Sequence, residues 1–158
     1  MSVAEARDAA TRKADTLALL ATPAIDVWVA TASRQGEAHL VPLSLGWVQQ
    51  RAVIAVEATS RTAVNLIASG DARLAVGPTR DVVMIDAVLE RSVEVTEDDA
   101  LGAAYAEQAD WDPRTASGYL FLVLRPVRIQ AWREANEIPG RTLMRDGAWT
   151  DEENDGER

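Results

Sequence analysis

Thr59-Ser60-Arg61-Thr62 sets three hydroxyls and one guanidinium side by side, directly ahead of the apolar-periodic stretch AVNLIAS. A helix opening there presents free backbone N–H groups and a partial positive charge to the same spot. With an Arg, which can grip an oxyanion at two points, that is the chemistry of an anion site. The same residue types also make a plain helix cap, and the local sequence leaves both readings open. A second run, His39-Leu40-Val41-Pro42-Leu43-Ser44, is an apolar strand interrupted by Pro42. Proline lacks the ladder N–H, so it belongs at an edge or a bulge and leaves neighbouring backbone groups free for a ligand. His39 is the chain's one histidine and reads either as part of that ligand face or as a strand-surface residue. Asn65, one turn into the helix, bonds either a ligand or the adjacent loop; Leu66 beside it is core.

These are binding groups, not nucleophiles. The chain has no Cys, which excludes disulfides, Cys-based zinc sites, iron–sulfur clusters and thiol catalysis. A Ser-His-Asp triad could use only His39. No GxGxxG or other Gly-rich phosphate loop occurs. Asp81 and Asp86 are five residues apart in a strand-like segment, hence on opposite faces, and make no acid pair. Asp98-Asp99 reads as a solvated face.

The elements that must position these residues follow from period and punctuation. The 158 residues suit one domain, and 47% hydrophobic content supplies a core. The net charge of −9 argues against a nucleic-acid binder. The N-terminus lacks the uninterrupted apolar region of a signal peptide, and no run of about 18 apolar residues occurs. A cytoplasmic protein without membrane partners is the expectation. Residues 2–21 read as an amphipathic helix with Val3, Ala6, Ala10, Ala14 and Leu17 on one face and Ser2 with Glu5 as a capping box. Strands follow at 25–33, 38–47 and 52–58, with a Gly turn at 34–37. A short helix runs to Ser69 with Gly70 as its stop. Further strands fall at 72–77, at 81–96 with an alternating second half, and at 119–134, broken or bulged at Pro126. A helix occupies 97–109, and residues 143–150 add a short last strand. Residues 1–150 form the domain; 151–158, DEENDGER, form an acidic tail expected to be disordered. Strands joined by short turns imply an antiparallel sheet, and closure into a barrel removes exposed edges. The fold class is therefore all-β with peripheral helices, an antiparallel barrel of six to seven strands.

The order VWVATAS, Gly turn, HLVPLS, AVIAVEA, TSRTAVNL, ARLAV resembles the pyridoxamine 5'-phosphate oxidase-like split-barrel family. So does the layout of VVMIDAVLE, an acidic helix and LFLVLRPVRIQAW, and the likeness covers roughly residues 14 to 150. The resemblance implies a split barrel binding FMN or the deazaflavin coenzyme F-420, held at the interface of a homodimer. It implies that Thr59, Ser60, Arg61 and Thr62 meet the cofactor phosphate, with Asn65 nearby. It implies that His39, Val41, Pro42, Leu43 and Ser44 lie along the ring. The family commonly carries a second basic residue where Thr62 stands, and an Arg where His39 stands, so the expected phosphate affinity here is lower. Two functions follow from the likeness. One is an FMN- or F-420-dependent oxidoreductase acting on a small molecule, with no catalytic residue assigned. The other is a non-enzymatic barrel that sequesters a flavin or haem. Trp149 and Arg145 could close over a partner's cleft; the alternative is a packed C-terminal strand. The five Trp suit core and interface positions.

Overall fold

The computed structural model describes residues 4–153. It is a mostly antiparallel sheet with peripheral helices. Strands β1 (Asp26–Ala32), β2 (Ala38–Ser44), β3 (Gly46–Val48) and β4 (Arg51–Glu57) precede helix α2 (Arg61–Ser69). Then come β5 (Asp71–Val76), β6 (Val82–Glu94), helix α3 (Asp99–Ala109), β7 (Tyr119–Trp132) and the hairpin β8 (Thr142–Arg145) and β9 (Ala148–Trp149). Helix α1 (Ala9–Leu20) opens the chain and a single helical turn, α4 (Thr150–Glu153), follows β9. The strand order is β2-β1-β5-β6-β7-β4-β3, with β8 and β9 attached to β7. The described residues form nine strands where the sequence predicts six to seven: the expected strand at 38–47 divides at Leu45 into β2 and β3, and the expected last strand at 143–150 is the hairpin β8–β9. Its turn is Asp146-Gly147, both at positive φ, a residue pair suited to a two-residue hairpin turn.

Burial explains the strand sequences. The first half of β6 alternates, with Val83, Ile85 and Ala87 inward; its second half is more exposed but keeps the expected alternation at its end. The alternation in ERSVEV packs its valines on the layer beneath α3, where Val95 is buried and Val93 half-buried, while Ser92 and Glu94 stay exposed. β4 is buried on both faces, which is why AVIAV reads as a continuous apolar run. Ala52, Ile54 and Val56 join the main core with Val27, Val29, Leu66, Leu74, Ile85, Leu122 and Leu124. Val53 and Ala55 point the other way, to Tyr105, Phe121 and Val123 beneath α3. Pro42 sits in edge strand β2 in unbroken register, opposite Trp28. Pro126 sits at a true bulge: Asp86 faces Arg128 and Ala87 faces Pro126, leaving Val127 over.

The first helix departs from the sequence reading. It begins at Ala9, with the Asp8 carboxylate accepting from Thr11 N at 2.8 Å as the cap. Residues 4–8 are not helical, because Arg7 donates its backbone N–H to Glu137 Oε2 at 2.8 Å instead. Ser2 lies outside the described residues. The buried stripe is Arg12, Thr16 and Leu20, while Ala6, Ala10 and Ala14 are exposed. A buried Arg is tolerated there because its guanidinium donates to three carbonyls, those of Ala131, Glu137 and Arg7. Trp149 is buried in its own barrel, donates to Gln50 Oε1 at 3.1 Å and carries Lys13 over its ring. It packs as a C-terminal strand residue and is not free to cover a partner. Of the 151–158 tail, Asp151–Glu153 belong to the helical turn that Thr150 opens, and residues 154–158 lie outside the described residues. Among the described residues, no helix is long and apolar enough to cross a membrane.

Candidate functional site

β2 ends the strand path with β1 as its ladder partner, and its other edge faces β4. The space between them is a groove of about 600 Å³. One wall is β2, where alternation sends the half-buried His39, Val41 and Leu43 to one side while Leu40 and Pro42 are exposed. The opposite wall is Ala55, Val56 and Glu57 of β4. The start of α2 closes one end with Ser60, Arg61 and Thr62, and Trp111 and Tyr119 add aromatic surface. From His39 to Ser44 the strand runs about 16 Å, at roughly 3.3 Å per residue.

The start of α2 is built as the sequence reading expected. Ser60 Oγ accepts from Ala63 N at 3.1 Å, and Gly70 stops the helix at φ 79° with its N–H on Leu66 O at 2.7 Å. Both are possible because serine supplies a short acceptor and glycine tolerates the left-handed conformation. Ser60 is thus spent in part as a cap. Arg61 projects outward, its side chain 60% exposed, and its ion partner is Glu37 Oε2 at 3.8 Å. Glu37 comes from the β1–β2 turn.

Eight of the ten candidate residues therefore share one groove: His39, Val41, Pro42, Leu43, Ser44, Ser60, Arg61 and Thr62. Two do not line it. Thr59 is exposed ahead of the cap. Asn65 turns into the core, donating its Nδ2 to Thr31 Oγ1 at 3.1 Å, which joins α2 to β1. Its partner is a residue 34 positions away, so no local pattern could assign it.

Trp111 and Tyr119 went unassigned as groove residues. Trp111 meets Tyr119 edge-on at 5.7 Å and Tyr105 at 6.3 Å, and Tyr105 meets Phe121 at 5.2 Å. Tyr105 is buried and donates its hydroxyl to Ser44 O at 3.2 Å, so α3 holds the far end of the β2 wall. Burial pushes its phenol up to about 12, which keeps it neutral. Gly46 makes this contact possible, since a Cβ there would lie 2.7 Å from the Tyr105 ring. The signal available in sequence was the aromatic pair flanking the 111–118 loop; its link to β2 lies in tertiary packing.

A second cavity, about 550 Å³, opens between β1, β5 and β6. It holds none of the candidate residues, and its Arg73–Asp86 pair is closed on itself at 2.6 Å. Among the described residues no cluster of three or more His, Asp or Glu could hold a metal ion.

No family model matches the chain, and no curated protein does. Solved structures do. An F-420 reductase superposes with a TM-score of 0.59 at 16% identity, covering 71% of this chain and 93% of that one. A heme binding protein from Mycobacterium smegmatis superposes at 0.60 and 22% identity, covering 86% of this chain and 57% of the other. A putative pyridoxamine 5'-phosphate oxidase from Listeria innocua superposes at 0.60 and 12% identity, covering 78% and 98%. The fold is that of the pyridoxamine 5'-phosphate oxidase-like split barrels, as its sequence order implied. Proteins with redox names and proteins with haem-binding names share it.

Proposed function

We propose that the β2–β4 groove binds a flavin-type cofactor, FMN or F-420, and that the protein is an oxidoreductase acting on a small molecule. The observation carrying this is the groove itself. A slot of about 600 Å³ is within the range of ligand pockets, apolar along its walls and polar at the mouth. Such a pocket suits a planar ring with a polar tail. Val41, Leu43 and Ala55 offer the ring apolar contact, and Trp111 and Tyr119 offer aromatic edges. Arg61 and the free N–H groups at the start of α2 offer the tail its donors. The bound cofactor would supply hydride chemistry; the chain supplies orientation and partial exclusion of water. The fit agrees with a lining that offers no thiol and no carboxylate pair.

Assembly enters the same reading. Trp28 and Leu40 are exposed on the outer face of β1 and β2, at 50% and 60%, next to Pro42. A second copy packed on that face would bury them beside the groove mouth.

One observation favours a second function, ring sequestration without turnover. His39, on the groove wall among apolar residues, is the one imidazole available to ligate a haem iron. A single experiment separates the two. The purified protein is titrated with FMN, F-420 and haem, followed by absorbance, and each complex is then challenged with a nicotinamide cofactor. Reduction of a bound flavin or deazaflavin supports the enzyme. A haem spectrum lost in His39→Ala supports sequestration. No binding of any of the three defeats both.

A further inference from the structure

We propose that Glu37 is a specificity-determining residue of this groove, biasing it against dianionic phosphate monoesters and toward planar rings whose tail is neutral or singly charged. This rests on the ring-binding reading above and names the ligand class within it. Arg61 is the one full cation among the groove-lining residues, and Glu57 is the one carboxylate. Glu37 stands just outside, its Oε2 3.8 Å from Arg61 NH1. With Arg61, the two acids leave the mouth with a net negative charge. The position after Arg61 is the neutral Thr62, so no second cation restores the balance.

Glu37 is not placed there by side-chain wandering alone. Its backbone N–H is held by Ser33 Oγ at 3.0 Å, and its carbonyl accepts from Ser33 N at 3.0 Å. Gly36 completes the turn at φ 82°, a conformation that favours glycine. The β1–β2 turn thus fixes the Cα of Glu37 where its carboxylate reaches Arg61. A phosphate dianion docking on Arg61 would displace the carboxylate yet remain close to it. At roughly 6 Å in a water-like dielectric, two negative charges facing one cost up to about tenfold in affinity before screening. A neutral tail escapes that cost, and a singly charged one meets half of it.

Riboflavin and FMN carry the same ring and differ by the phosphate, so they are the probes. The full chain and its Glu37→Gln variant are titrated with each at low salt. Glu37 is 74% exposed, so the substitution leaves the fold intact. The expected result is a roughly threefold to tenfold rise in the FMN-to-riboflavin affinity ratio on Glu37→Gln, carried by FMN and shrinking as salt is added. Riboflavin binding with a ratio unchanged by Glu37→Gln overturns the role of Glu37 and leaves the ring-binding reading standing. Failure of the wild type to bind either flavin overturns the inference, and failure to bind F-420 as well overturns the reading itself.

Discussion

The Arg7 guanidinium closes on Glu137 at two points, Nε to Oε2 at 3.0 Å and NH2 to Oε1 at 2.7 Å, across 130 residues of chain. Two backbone N–H groups, of Arg7 and Arg133, complete the carboxylate's partners at 2.8 and 2.9 Å. The paired charge and these donors hold the Glu137 carboxyl down to about 2. The same contacts raise Arg7 above its ordinary value.

Stability should therefore depend on Glu137 in a pH-dependent way. A carboxyl lowered in the folded state contributes fully above its ordinary value near 4.5 and loses that contribution as pH falls toward 2. From that shift the contribution at pH 7 is about 3 kcal/mol. Glu137→Gln should lower the unfolding free energy by about that amount at pH 7. At pH 3 the deficit should be less than half as large. Urea unfolding at both pH values checks this; an equal deficit at both refutes the charge-based account.

Arg61→Ala should weaken FMN or F-420 binding by about ten- to hundredfold, the loss of one charge-assisted hydrogen bond. The unfolding midpoint should stay put, because the side chain is mostly in solvent and its ion pair is exposed. Affinity equal to wild type would return Ser60–Thr62 to the role of a plain cap.

Sedimentation should give a dimer at micromolar concentration, and Trp28→Glu should give a 17.1 kDa monomer. Trp28 faces outward on β1, so the substitution costs little within the barrel. A monomeric wild type would sink the proposed use of this face.

The sequence made the sheet legible because its cues were local. Gly36, Gly70 and Pro42 each did what their backbone chemistry dictates. The two groove segments, His39–Ser44 and Ser60–Thr62, were likewise visible from proline and cap chemistry. Helix α1 was misread at its start and on its buried face, since both are decided by Glu137 and Ala131 from the far end of the chain. Arg12 in the core contradicts any hydrophobicity pattern and is intelligible only once its carbonyl acceptors are known. Trp111, Tyr119 and Glu37 joined the site by the same kind of distant contact.

The span of the Arg7–Glu137 clamp has a kinetic consequence. Contacts between such distant residues close a long loop, and their entropy cost is met late, after local hairpins such as β3–β4 have formed. The clamp then belongs to the native side of the folding barrier. Its loss should speed unfolding and leave the folding rate nearly unchanged, so Glu137→Gln should shift only the unfolding limb of a denaturant chevron. The N-terminal segment would serve as a latch on an already assembled barrel, setting how long the protein stays folded more than how fast it folds.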